Sequence, residues 1–259
     1  MSDEMLLVTG GASGIGRAVV RLAAQRHWRV CIIDRDGAAL ESAAAEALEH
    51  GADKVQVAEC DVSSEASMQA CFDAAEEQLG PLSGLFTSAG IERRGFAHET
   101  PYETWQNVIE TNLNGTFLAC QLALRSLLRS KIRGSLVLCS SPASFVAYSA
   151  GAASSYSASK GGVSALVRTL AVDYAKHGIR VNAVVPGATE TPLMWANSDE
   201  SEKDRLRELI RSEVPLGRLA EPEEPAEAVM WLLSPQSGYV TGSHLVCDGG
   251  ILAKASISF

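Results

Sequence analysis

The stretch that most restricts the fold is the apolar run at residues 6–9, which stops at Gly10-Gly11-Ala12-Ser13-Gly14-Ile15-Gly16. Residues 17–25 then carry the spacing of an amphipathic helix, so the segment reads strand, glycine turn, helix. Residues 29–34 form a second apolar strand, which ends in an acid about twenty residues after the turn, as a dinucleotide-binding unit requires. Glycine lets the main chain approach a pyrophosphate, and the helix start offers unpaired N–H groups and the positive end of its dipole. Gly10, Ser13, Gly14, Ile15 and Gly16 are the expected phosphate cradle.

Asp34 bears on which dinucleotide is bound. A carboxylate there accepts hydrogen bonds from the ribose hydroxyls of NAD but faces the 2′-phosphate of NADP. Two unit charges about 4 Å apart near a surface repel by roughly 4 kcal/mol, about a thousandfold in affinity. NAD is therefore the expected cofactor, with Arg35 offsetting part of the repulsion. The competing reading is that Asp34 only caps a helix starting near Gly37.

The alternation continues to the end of the chain. Helices are expected at 38–50, 65–79, 105–113, 117–130, 155–177, 201–212 and 225–233, with a break near Asn114-Gly115. Strands are expected at 55–58, 82–87, 135–139, 180–185 and 244–246. Such alternation implies an α/β single-domain Rossmann fold over residues 1–259, a doubly wound parallel sheet of about seven strands with helices on both faces. Ligands bind beyond the carboxyl ends of such strands, where the glycine turn, Asp34, Ser88-Ala89-Gly90, Ser140-Ser141 and Pro186-Gly187 gather. Tyr156 and Lys160 start a helix reached from that edge, and their four-residue spacing puts both on one face. A fixed cation beside a phenol lowers its pKa from about 10 and fits it to exchange protons with a hydroxyl.

The chain has 259 residues, 46% hydrophobic and 20% charged, with 22 basic against 31 acidic residues and a net charge of −9. That balance argues against a nucleic-acid partner. Cys31, Cys60, Cys71, Cys120, Cys139 and Cys247 are scattered without a CxxC pair, as small buried side chains of a reducing compartment are. The histidines His27, His50, His177 and His244 show no metal spacing and read as surface or helix-end residues, so no metal is expected. The first apolar run is too short for a signal peptide, and no stretch reaches the length of a membrane span. A cytoplasmic protein without membrane contact is expected.

Read together, these residues closely resemble the short-chain dehydrogenase/reductase family over essentially the full length. Residues 9–16 match its TGxxxGIG, Tyr156 to Lys160 its YxxxK, and Pro186-Gly187 its PG motif. Asn112 matches the asparagine of the family's catalytic tetrad, and Asp61-Val62 the pair placed near the adenine ring. The resemblance implies that Tyr156 is the general acid/base and that Lys160 holds the nicotinamide ribose and lowers the tyrosine pKa. It further implies that Ser141 stabilises the reacting oxygen and that Asn112 holds a water linking Lys160 to solvent. Thr189 and Thr191, just past Pro186-Gly187, extend the expected cofactor contacts.

Two departures from the family pattern stand out. Thr87 and Ser88 replace a pair of asparagines, with hydroxyls of shorter reach for the local hydrogen bonds there. Counting back from Tyr156, the usual position of the family's serine holds Ala143, which leaves Ser140, Ser141 and Ser144 as candidates. Ser141 is preferred because the second serine of the strand-ending pair is the family's choice, which makes the following loop longer than usual; Ser144 is the alternative.

For substrate, Phe145, Tyr148, Met194 and Trp195 suggest an apolar, aromatic-lined pocket for a secondary alcohol or ketone, under a lid at about 190–215. Arg93, Arg94 and His98 are candidates for recognising a substrate carboxylate. The resemblance implies an oligomer, a homotetramer or homodimer, in which the tail at 251–259 packs on a neighbour. The alternatives are an NADPH-type 3-oxoacyl-carrier reductase, against which Asp34 counts, and a non-catalytic dinucleotide sensor. The joint presence of Asn112, Ser141, Tyr156 and Lys160 counts against the sensor.

Overall fold

The computed structural model describes residues 4–147 and 152–254. Its strands are β1 (Met5–Thr9), β2 (Arg29–Asp34), β3 (Lys54–Glu59), β4 (Gly84–Thr87), β5 (Ser135–Cys139), β6 (Arg180–Pro186) and β7 (His244–Cys247). Its helices are α1 (Gly14–Gln25), α2 (Gly37–Glu49), α3 (Glu65–Leu79), α4 (Tyr102–Ile109), α5 (Gly115–Ser130), α6 (Ser154–Tyr174), α7 (Pro192–Trp195), α8 (Glu200–Glu213) and α9 (Glu223–Leu233). Every residue of β1 and β4 is buried, which requires cover on both faces of the sheet.

The strands form one seven-stranded sheet in the order β3-β2-β1-β4-β5-β6-β7, and every pairing is parallel. Successive side chains of β1 point to opposite faces. Met5 and Leu7 join a core with Phe72 of α3, Cys120 of α5 and Val163 of α6. Leu6 and Val8 join the other, with Val19 of α1, Leu40 of α2 and Val229 of α9. From β1 the chain winds outward through β2 to β3, then returns to β4 on the other side of β1. The connections after β1 and β4 therefore diverge, and a crevice opens at their carboxyl ends.

Two local outcomes differ from the sequence expectation. The region expected to break near Asn114-Gly115 is continuous: α4 runs through a π-helical turn, Glu110–Asn114, straight into α5. The extra residue in that turn widens the helix where Asn112 sits, and such bulges concentrate at functional sites. In addition, Asp36 caps α2, its Oδ1 accepting from the Ala39 N–H at 3.0 Å, which leaves Asp34 free of that duty. Among the described residues no helix is long and apolar enough to cross a membrane.

Candidate active site

The glycine turn is built by close main-chain contact. Gly10 has φ +67°, and a Cβ there stands 2.6 Å from the Ala89 nitrogen; at Gly16 a Cβ stands 2.1 Å from the Gly10 carbonyl oxygen. Neither position admits a side chain without moving main chain. Gly10 and Gly11 both donate to the Ile33 carbonyl, at 2.8 and 3.2 Å, which seats the turn over the end of β2. Ser13 caps α1 without any side-chain bond, and among the described residues the first N–H groups of that helix have no side-chain partner. A glycine-lined cradle at a helix start fits a pyrophosphate.

Asp34 is fixed against this turn. Its carboxylate accepts from the N–H groups of Ala12 (3.1 Å), Arg35 (2.8 Å) and Asp36 (3.3 Å). Beyond β3, Asp61 accepts from the N–H and hydroxyl of Ser63 at 2.9 and 2.7 Å. Those two bonds, in that order, and then the nearby Arg35 charge hold its carboxyl below the usual carboxylate range against the opposing effect of burial. Asp61, Ser63, Arg35, Arg93, Ile91 and Glu110 line a cavity of about 240 Å³, while Val62 is buried against Gly115.

On the far side of β1, the catalytic candidates come together around Lys160. Its Nζ is buried, donates to the Cys139 carbonyl at 2.7 Å and lies 5.7 Å from the centre of the Tyr156 ring. Burial pushes the ammonium below the usual lysine range. A Cβ on Gly90 stands 3.3 Å from Asn112 Oδ1 and 3.9 Å from Lys160 Nζ, so the Ser88-Ala89-Gly90 loop, the π-helical turn and α6 share one spot. The Asn112 side chain is held at both ends: Oδ1 accepts from Ile91 N–H (2.8 Å), and Nδ2 donates both protons, to the Ile91 carbonyl (2.9 Å) and Ser159 Oγ (3.1 Å). It splints the loop after β4 to α6.

Of the three candidate serines, the structure separates one. Ser141 is buried at the head of a tight turn, Pro142–Ser144, and its Oγ accepts from the Ala143 N–H at 3.2 Å. Among the described residues its own hydroxyl proton is unspent. Ser140 and Ser144 are bonded to each other, to Ser164 and to main-chain carbonyls.

Other candidate residues have partners, or lack them, in ways the sequence does not show. The Thr87 hydroxyl makes no local hydrogen bond among the described residues; it is buried without a partner, flanked in register by Thr9 and Leu138, which give it none. The hydroxyls of Thr189 and Thr191 turn back onto the Gly187 and Thr189 carbonyls, at 3.1 and 3.3 Å, although Thr191 also packs 3.1 Å from where a Gly14 Cβ would lie. Gly187 itself is wedged 2.6 Å from the Asp248 Cα. Arg94 pairs with Glu92 at 3.3 Å, and the exposed His98 sits beside Glu99, while Arg93 lines the Asp61 cavity. His244 is neither a surface nor a helix-end residue: it opens β7, packs edge-to-face on Phe145 at 5.6 Å, and its buried Nε2 lacks a partner among the described residues. Tyr148 and residues 255–259 lie outside the described residues.

Sequence reading missed a cluster beyond the glycine turn. Trp195 Nε1 donates to Glu190 Oε1 at 2.7 Å, Arg207 of α8 donates to the same oxygen at 3.3 Å, and its guanidinium stacks 4.8 Å from the indole. Asn197 reaches across to the Glu92 carbonyl at 3.4 Å. The charged pattern of α8 signalled a surface helix, and only the fold reveals which of its cations turns inward.

Known proteins resemble this chain over nearly its whole length. The sequence model of the family described as "Enoyl-(Acyl carrier protein) reductase" matches residues 10–252. The chain is 36% identical to 2-(S)-hydroxypropyl-CoM dehydrogenase 3 of Xanthobacter autotrophicus (strain ATCC BAA-1158 / Py2) over 256 residues, 98% of each chain. It is 39% identical to the 3-oxoacyl-[acyl-carrier-protein] reductase of Bos taurus over 249 residues, 96% of this chain and 98% of that one. A crystal structure of a short-chain type dehydrogenase/reductase from Mycobacterium marinum superposes with a TM-score of 0.91 at 31% identity, covering 97% of this chain and 96% of the other. Matches of this extent, on a parallel sheet whose crevice holds the glycine turn and the Tyr156–Lys160 helix, place the chain in the short-chain dehydrogenase/reductase family, oxidoreductases that act on a CH–OH group or its carbonyl with a nicotinamide dinucleotide.

Proposed function

We propose that the protein is an NAD-dependent dehydrogenase of secondary alcohols that also reduces the corresponding ketones. The observation that carries this reading is the meeting of Gly90, Asn112, Tyr156 and Lys160 at one spot beside a glycine turn to which Asp34 is bonded. A bound dinucleotide supplies or accepts the hydride. In oxidation, phenolate Tyr156 takes the proton of the substrate hydroxyl as the neighbouring carbon gives up hydride, leaving a carbonyl; reduction returns the proton from Tyr156 to the oxygen. The ammonium 5.7 Å from the ring favours the phenolate. Ser141 directs its unspent proton at the substrate oxygen and stabilises charge there. Asn112, with its amide committed, acts as the splint between loop and helix, and the main chain of the π-helical turn is the place for a water relay to Lys160.

Gly10, Ser13, Gly14, Ile15 and Gly16 hold the pyrophosphate in this reading, Asp61 and Val62 flank the adenine, and Asp34 takes the ribose hydroxyls. Three main-chain donors tether the Asp34 carboxylate, so it does not swing away from a 2′-phosphate. Residues 190–215 form the substrate lid, and the enzyme works in the cytoplasm as a homotetramer or homodimer. The test is Tyr156→Phe: turnover with a panel of secondary alcohols, polyols, hydroxy acids and hydroxysteroids falls by about 1,000-fold or more, while NADH affinity holds within about twofold. An active variant overturns the proton route.

A second reading has a specific observation in its favour. Arg35 and Arg93 both line the cavity beside Asp61, and positive charge there suits the 2′-phosphate of NADPH. The bovine relative is named a 3-oxoacyl-carrier reductase. Tighter binding of NADPH than NADH, together with turnover of a 3-oxoacyl thioester, would establish this alternative.

A further inference from the structure

Three hydroxyls stand behind Ser141, each on a different element. Ser140 follows the last residue of β5, Ser144 ends the tight turn that Ser141 opens, and Ser164 lies on α6 one helical turn past Lys160. Ser140 Oγ lies 2.7 Å from Ser164 Oγ, Ser164 Oγ 3.2 Å from Ser144 Oγ, and Ser144 Oγ 2.7 Å from the Ser141 carbonyl oxygen. Ser140 Oγ also lies 3.2 Å from Ser144 Oγ, so either Ser140 donates to Ser164 and Ser164 to Ser144, or Ser164 donates to Ser140 and Ser140 to Ser144; in both, Ser144 donates to the carbonyl of Ser141. Either way the relay ends on Ser141, whose hydroxyl proton is unspent among the described residues.

A buried hydroxyl costs free energy unless it is hydrogen-bonded, and aliphatic residues fill such a space with no polar penalty. The polar choice here does what an apolar one does not, because it fixes the turn carrying Ser141 to the helix carrying Tyr156 and Lys160. Chain continuity does not supply that link, since the loop between the turn and α6 is long. The same turn has a second hold, in the edge-to-face contact of Phe145 with His244 at 5.6 Å.

We propose that Ser144 and Ser164 are positioning residues for the hydride-transfer reaction, holding the Ser141 hydroxyl in register with Tyr156 across the gap between the turn and α6. This rests on the reading of Ser141 given above. Misplacing a reacting group by about 1 Å costs on the order of a hundredfold in rate, and losing one link of a two-point hold costs part of that. The expected effect is on kcat and not on dinucleotide affinity, because neither serine touches the glycine turn.

The test is a double-mutant cycle on the full-length protein with NAD and the alcohol of the panel that is turned over fastest, with melting temperature and NADH affinity measured alongside. Ser141→Ala is expected to lower kcat by about 100- to 1,000-fold, and Ser164→Ala by about tenfold, with KM and NADH affinity held within about twofold. Ser144→Thr, which keeps the hydroxyl at a half-buried position, retains activity where Ser144→Ala loses it. The deciding result is Ser141→Ala/Ser164→Ala: if Ser164 acts through Ser141, the double variant is no slower than Ser141→Ala alone. A further tenfold loss in the double variant, or a Ser164→Ala enzyme at full kcat, overturns the proposal. Should Ser164→Ala fail to fold, the pair Ser141→Ala/Ser144→Ala decides by the same comparison. A fully active Ser141→Ala removes the reading of Ser141 and this proposal with it, whereas a slow Ser141→Ala with additive losses removes only the proposal.

Discussion

The glycine turn and the segment from Glu190 to Arg207 meet where Gly14 approaches Thr191, yet they are held by different means. The turn is main chain against main chain: Gly10 against Ala89, Gly16 against Gly10, and two N–H groups on one carbonyl. The other segment is side chain against side chain, with Trp195, Glu190 and Arg207 joined through one carboxylate oxygen. Main-chain packing fixes a geometry that tolerates almost no substitution, which suits a ligand common to a whole family. Side-chain packing is open to revision at each position, which suits a substrate that differs between its members.

The comparison breaks most severely at Gly16. Gly16→Ala puts a Cβ 2.1 Å from the Gly10 carbonyl oxygen, and we expect loss of NADH binding with destabilisation above about 4 kcal/mol, read by thermal melting and NADH fluorescence. Wild-type binding would mean that the turn is less constrained than its contacts. Next in size is Asp34→Ala, which removes the carboxylate and its bond to the Ala12 N–H while the main-chain contacts of the turn stay. NADPH affinity should rise by tens- to hundredfold, within the roughly thousandfold that such a repulsion is worth, while NADH affinity falls by about tenfold. Unchanged NADPH affinity would take the specificity away from Asp34.

Arg207→Ala tests the other side. Removing the stacked cation should raise KM for the alcohol by about three- to tenfold, with kcat within about twofold and NADH affinity unmoved. A fall in NADH affinity would show that the two sides are not separable. The smallest effect is expected from Ser63→Ala. Ser63 holds Asp61 below its ordinary pKa of about 4, so the stability this contributes is complete above that value and is lost as pH falls through the lower folded value. The Ser63 N–H, the larger of the two influences, survives the substitution. Acid unfolding, followed by circular dichroism, should therefore move up by only a fraction of a pH unit.

What could be read in the sequence divides along the same line. The glycine turn, Asp34 and the Tyr156–Lys160 spacing are regular features of local chain geometry, and the strand-helix alternation fixed the sheet. Contacts between distant residues were not legible. Nothing in the sequence announces that Lys160 bonds the Cys139 carbonyl, that Ser164 closes on Ser140, or that His244 lies under Phe145. Thr87 shows the reverse failure, a hydroxyl that the sequence offered as a local bonding group and that the neighbouring strands leave without one. At Asn112 the residue was legible, but the π-helical turn was not, because an inserted residue keeps the apolar spacing on either side nearly unchanged.

The stacking of Arg207 on Trp195 has an optical consequence. An indole under a guanidinium and bonded to a carboxylate emits differently from one in water, and Trp195, one of the protein's four tryptophans, is bridged to α8 in this way. The molecule thus carries a built-in fluorophore at the edge of its cleft. Stopped-flow emission of a Trp195→Phe variant, subtracted from that of the parent, would show without any attached label whether α8 moves when ligand is added.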